Sequence, residues 1–173
     1  MILLGAGSNL PGPGLASSLA TLEAALARLE ARGIGVRARS PWYRSAPVPP
    51  SGQPPFVNGV LVVETILTPA ELLARLHEVE REFGRVRKER NAARTLDLDL
   101  LAYDDRVEGK VPPELPHPRL HERMFVLVPL LDVAPAFRHP VDGRGIEAMI
   151  AAIPEAERHR QGVELIDASH ASP

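Results

Sequence analysis

The stretch Thr95-Leu96-Asp97-Leu98-Asp99-Leu100-Leu101 admits one kind of backbone. Leucine and aspartate alternate, and an extended chain puts residues two apart on one face. A helix would scatter both sets around its circumference. As a strand, the segment sends Leu96, Leu98 and Leu100 toward a core. Asp97 and Asp99 then stand side by side on the opposite face. Two carboxylates that close repel unless a cation or hydrogen-bond donors offset them. The fold must therefore bury one side of this strand and bring positive charge to the other.

The flanking patterns supply the remaining elements. Met1–Gly7 reads as a short buried strand running into a Gly5-Ala6-Gly7-Ser8-Asn9 turn. Leu15, Leu19, Leu22, Leu26 and Leu29 mark one helix face, closed by Gly33. Val36–Tyr43 is β-compatible. Ala46–Pro55 holds five prolines and a glycine, so it is a loop. Phe56–Thr65 is a valine-rich strand. Thr68-Pro69-Ala70-Glu71 combines an N-cap threonine, a first-turn proline and a capping-box glutamate. Leu72, Leu76, Val79 and Phe83 give that second helix its apolar face, and Gly84 ends it. Thr95–Tyr103 is the next strand, and Pro112–Pro118 a second proline-rich loop. Met124–Val133 is helical despite Pro129. Ile146, Met149, Ile150 and Ile153 mark a short helix, and Val163–Ile166 a last strand.

Strand, helix, strand, strand, helix, strand is the split βαβ order. The expected class is α+β, with a ferredoxin-like βαββαβ core. Its antiparallel sheet carries helices on one face, followed by C-terminal helices and a short strand. Residues 1–166 are expected to form one domain, and 167–173 a frayed tail. Fold alone does not give function.

Charge narrows the function classes. The formal net charge of −2 argues against a nucleic-acid or membrane-surface binder. Zero cysteines exclude disulfides, thiolate metal sites and a thiol nucleophile. The start lacks a basic region before its apolar residues, and no apolar run is long enough to span a bilayer. A cytoplasmic protein is expected. Of 20 basic residues only Lys88 and Lys110 are lysines, and guanidinium forks suit phosphate oxygens. Five cations cluster immediately before the paired aspartates: Arg85, Arg87, Lys88, Arg90 and Arg94, against Glu89 alone. Arginines can hold polyphosphate oxygens while carboxylates hold the cations that bridge them. Hard carboxylate oxygens on a strand suit Mg²⁺. Phosphoryl-type transfer is the chemistry this arrangement favours. The chain has no P-loop motif, and Gly5-Ala6-Gly7 lacks the rest of a dinucleotide fingerprint. His117-Pro118-Arg119-Leu120-His121 is no zinc-protease helix, since Pro118 disfavours helix through His117 and no glutamate follows it.

At these residues the sequence resembles the 6-hydroxymethyl-7,8-dihydropterin pyrophosphokinases. The likeness runs through Gly7-Ser8-Asn9-Leu10, Tyr43-Arg44-Ser45-Ala46-Pro47 and Phe56-Val57-Asn58. It continues in Gly84-Arg85-Val86-Arg87, Arg94-Thr95-Leu96-Asp97-Leu98-Asp99, and Pro116-His117-Pro118-Arg119 with Arg123-Met124-Phe125. The resemblance implies pyrophosphate transfer from ATP to the pterin hydroxymethyl group in folate biosynthesis, assisted by two Mg²⁺. It assigns both ions to Asp97 and Asp99, and catalytic charge stabilisation to Arg85 and Arg94. His77, Glu80, Arg87, Arg90, His117 and Arg123 fall at ATP-side positions. Ser45, Val48, Phe56, Asn58 and Phe125 fall at pterin-side positions. Small-molecule substrates and a monomer are implied, with no nucleic-acid or membrane partner.

The chain departs from the family pattern at three places. Asn91 stands where members carry a tryptophan, in a loop one residue shorter between Arg87 and Arg94. His77 stands where glutamine is common, and Pro118 where tyrosine is. Two other readings of the aspartate pair are a two-metal nucleotidyltransferase or cyclase, and a non-enzymatic ferredoxin-like binding module.

Overall fold

A computed structural model describes residues 1–85, 94–109 and 111–166. Arg87, Arg90 and Asn91, and the tail from 167, lie outside the described residues. The elements are β1 (Ile2–Ser8), α1 (Ser18–Glu30), β2 (Gly35–Arg39), β3 (Tyr43–Ser45), β4 (Phe56–Glu64) and α2 (Pro69–Glu82). They continue with β5 (Asp97–Tyr103), a 3-10 turn (Leu120–Glu122), α3 (Met124–Val133), α4 (Ile146–Ala152), α5 (Glu155–Gln161) and β6 (Glu164–Leu165). No helix among the described residues is long and apolar enough to cross a membrane.

The sheet is antiparallel, in the order β5-β1-β4-β3-β6, with β2 also on β4. β2 and β3 lie end to end along one edge of β4. The expected single strand Val36–Tyr43 is broken there, because Pro41 has no N–H for the ladder. Ser40 bridges the break. Its N–H donates to the Val60 carbonyl at 3.0 Å, and its Oγ accepts from Val60 N–H at 3.0 Å.

The helices form where the sequence places them, with shifted ends. α1 starts at Ser18, because the Ser17 hydroxyl caps it by accepting from Ala20 N–H. Leu15 therefore precedes the helix. Around α2 the capping box is complete: Thr68 Oγ1 accepts from Glu71 N–H, and Glu71 reaches back to Thr68 N–H at 2.8 Å. Gly84 follows α2 with φ +81°, a conformation that costs glycine little.

α1 and α2 cover one face of the sheet, burying Leu4, Leu22, Leu61, Leu76, Leu96, Leu98 and Leu100. The expected leucine face of β5 thus enters the core. The C-terminal helices cover the opposite face, where Leu3, Val60, Leu101, Leu127, Leu130 and Met149 pack together. Period alone could not assign that face, since α3 is apolar nearly all round. A bulge in the β1–β5 register leaves Leu101 without a partner opposite it. α5 was not expected: its residues EAERHRQ carry no apolar stripe.

Beside α4, His139 is buried and sits edge-on to His121, with ring centroids 5.7 Å apart. Burial lowers the His139 pKa, and His121 and Arg144 lower it further against the pull of Asp142. A histidine held neutral in the fold binds its proton more readily when unfolded. Its contribution is complete above the ordinary histidine pKa and is lost as pH falls toward the lowered folded value. Urea midpoints measured from pH 7 to 5 should fall less steeply in His139→Gln than in the wild type. Parallel slopes would refute this assignment.

Candidate active site

β5 starts with its carboxylates beside the end of β1 and near the start of β4, and the loop of residues 46–55 lines that end of the sheet. The result is an open cleft with a cavity volume of about 130 Å³. Asp97, Asp99, Arg94 and Arg123 line one part of it. Ser45, Val48, Phe56, Asn58 and Phe125 line another. All five expected pterin-side residues, both carboxylates and two of the arginines thus meet in one space.

Each carboxylate is matched by guanidinium. Arg85 Nη1 lies 2.7 Å from Asp97 Oδ1 and also pairs with Glu80, while Arg94 pairs with Asp97 Oδ2. Arg123 Nη1 lies 3.1 Å from Asp99 Oδ2. Asp97 Oδ1 is buried and makes no hydrogen bond of good geometry, so its ion pair leaves lone-pair capacity. Burial raises the Asp99 pKa above the ordinary carboxylate range, and the Asp97 charge raises it further. His117, Arg123 and Arg94 oppose that rise. Burial lowers the His117 pKa, against the pull of Asp99, which favours the neutral ring. Its Nδ1 accepts from Arg119 N–H at 3.1 Å, which assigns the ring proton to Nε2.

Glu80 organises this end from beneath. It is 1 % exposed, and its Oε1 accepts from Leu98 N–H at 2.8 Å. One carboxylate thus ties α2 to β5 between the two aspartates and holds Arg85. His77 lies on α2 one turn before Glu80 and is not among the residues lining the cleft.

At the other end, Asn58 donates from Nδ2 to Ser45 Oγ at 2.8 Å. That bond fixes the amide and turns Oδ1 toward Gly7. A Cβ on residue 7 would fall 2.8 Å from this oxygen, so glycine is required there. Phe56 and Phe125 are half-buried in the cleft wall, and the Arg123 guanidinium lies 5.5 Å from the Phe125 ring centre.

The sequence assigns no role to three polar residues in or beside the cleft. Asn9 is 3 % exposed, and its Oδ1 accepts from Arg94 N–H at 2.8 Å while its N–H donates to the Arg94 carbonyl at 3.0 Å. Its Nδ2 donates to Gln53 and to the Pro54 carbonyl. Asn9 therefore pins the backbone of Arg94 to the proline-rich loop. Gln53 and Arg119 line the cleft itself. Nothing in the local pattern separates these polar loop residues from solvated ones.

Comparison with known proteins agrees with this layout. Residues 3–135 match the family model of 7,8-dihydro-6-hydroxymethylpterin-pyrophosphokinase, HPPK. A Pseudomonas aeruginosa protein named 2-amino-4-hydroxy-6-hydroxymethyldihydropteridine pyrophosphokinase is 43% identical, over 86% of this chain and 88% of its own. A Synechocystis protein of the same name is 40% identical, over 87% of this chain and 75% of its own. The crystal structure of wild-type Plasmodium falciparum HPPK-DHPS superposes with a TM-score of 0.65 at 14% identity, which speaks for the fold. The match covers 87% of this chain and 44% of that longer one. The chain is a transferase of folate biosynthesis, a pyrophosphokinase. It belongs to the 7,8-dihydro-6-hydroxymethylpterin-pyrophosphokinase family. The non-enzymatic reading falls away with that membership.

Proposed function

We propose that this chain transfers pyrophosphate from ATP to the hydroxymethyl group of 6-hydroxymethyl-7,8-dihydropterin, releasing AMP. The observation that carries the reading is the union of paired strand carboxylates, three arginines and an aromatic–amide pocket at one sheet end. Residues 1–166 act as one catalytic domain on small-molecule substrates, as a monomer.

Asp97 and Asp99 fit a pair of Mg²⁺ ions: they are hard oxygen donors on one strand face, and Asp97 Oδ1 has spare coordination capacity. Such ions supply Lewis-acid neutralisation of the phosphate oxygens. Among the described residues no third acidic or histidine side chain joins the pair as a metal cluster. A polyphosphate substrate suits that sparse protein contribution.

The side chains divide the remaining work. Asn58, locked by Ser45, presents its carbonyl oxygen to an N–H on the pterin edge. Phe56 and Phe125 hold the flat ring, with Val48 closing the loop side. Arg123 and the neutral His117 bind the nucleotide's phosphates beside Asp99, and Arg87, Arg90 and His77 complete the ATP side. Arg85 and Arg94 balance the charge that develops on the transferred group. Arg94 is well placed for this, because Asn9 holds its backbone at both N–H and carbonyl.

Incubation with ATP, Mg²⁺ and the hydroxymethyl-dihydropterin should yield AMP in step with pterin diphosphate. ADP or free pyrophosphate instead would point to another two-metal transferase. Arg94→Ala should lower kcat about 100-fold with little change in either KM, as expected for a contact that strengthens in the transition state. An unchanged kcat would remove Arg94 from that role.

A further inference from the structure

We infer that Gln161, at the end of α5, is a positioning residue for the pterin side of the cleft. The inference rests on the proposed function and adds a residue beyond 3–135, the part that matches the family model.

Gln161 is 2 % exposed, unusual for a glutamine at a helix terminus, and its amide is fully used. Oε1 accepts from Met124 N–H at 2.7 Å. Nε2 donates to the Glu122 carbonyl at 3.0 Å and to Glu157 Oε1 at 3.2 Å. Met124 opens α3, and its N–H has no carbonyl within the helix to receive it. Arg123, the N-cap, contributes no side-chain cap of its own, because a guanidinium has no acceptor to offer an N–H. Gln161 therefore caps α3 from another element, gripping the backbone on both sides of Arg123 and one residue before Phe125.

The same residue holds the opposite wall. Its backbone carbonyl accepts from Ala46 N–H at 3.1 Å, immediately after Ser45. Gly162 then turns with φ +44°, and the chain continues into β6, which pairs with Tyr43 and Arg44 on β3. One residue thus sets the spacing between the Phe125 wall and the Ser45–Val48 wall. The nucleotide side is less exposed to its loss, because Arg123 keeps its own pair with Asp99.

The test is a comparison of steady-state kinetics on the full chain. Gln161→Ala should raise the KM for the pterin about tenfold while kcat and the KM for ATP stay within about twofold. Gln161→Met keeps the side-chain volume and removes both polar ends, so it carries the same expectation if the alanine variant fails to fold. Gln161→Glu keeps an acceptor for Met124 N–H but sets a carboxylate oxygen against the Glu122 carbonyl where a donor stood, so it should raise the pterin KM as the alanine variant does. Tyr103→Phe, which loses a hydrogen bond to Leu67 at the far end of the sheet, should leave the pterin KM unmoved. A pterin KM unchanged in Gln161→Ala and Gln161→Met, or raised equally by Tyr103→Phe, would overturn the role. An inactive wild-type chain would instead overturn the proposed function itself.

Discussion

Asp97→Ala should abolish measurable AMP formation, a fall of at least about 10³-fold, while leaving the folded protein intact. The carboxylate stands at the cleft end of β5, half-buried and outside both hydrophobic clusters, so its removal opens no apolar cavity. Arg85 retains Glu80 as a partner, so no guanidinium is stranded beneath the strand. What disappears is one of two hard oxygen donors and the seat of Arg94. Removing a group of this kind from a transition-state charge site costs several kcal/mol. Asp99→Ala should behave alike. AMP release with matched thermal unfolding curves is the measurement, and an active Asp97→Ala enzyme would refute the metal assignment.

Glu80→Ala should show the reverse balance, with stability lost as well as activity. Glu80 is almost wholly buried, yet it serves a backbone N–H of β5 and the Arg85 guanidinium together. Its truncation leaves Leu98 N–H unsatisfied in the core and Arg85 with Asp97 alone. Arg85 keeps Asp97, so no buried charge is stranded, and the orphaned buried donor costs about 1–3 kcal/mol. A loss of about 1–3 kcal/mol in urea unfolding is expected, with reduced turnover in the fraction that folds. Glu80→Gln keeps the acceptor for Leu98 and should recover part of that loss. A loss below about 1 kcal/mol in Glu80→Ala would show that Leu98 N–H finds another partner.

These two expectations differ in how far the sequence revealed them. Asp97 and Asp99 are visible because strand periodicity turns spacing into direction. The capping box of α2 is visible because its residues interact within four positions. Glu80, Asn9 and Gln161 act across 18, 85 and 37 residues respectively, and no local pattern reports such a reach. The resemblance puts Glu80 at an ATP-side position, but its bond to the β5 backbone shows only once β5 is laid beneath α2. The break at Pro41 could be anticipated from the missing N–H, but the serine that repairs it could not, since Val60 lies 20 residues away. The face chosen by α3 was likewise hidden: an all-round apolar helix has no preferred side until the sheet's two faces are compared.

The interrupted edge formed by β2 has a bearing on how the molecule behaves in crowded solution. A sheet margin with open N–H and carbonyl groups is a template on which another chain can grow. Here that margin carries Arg37, exposed and paired to Glu64 on the neighbouring strand, and Arg39, which lies over the Trp42 ring near Glu23. Five residues and a proline break leave an incoming strand little length to zip along. The break that divides the strand and leads into the cleft loop thus also guards against runaway self-assembly.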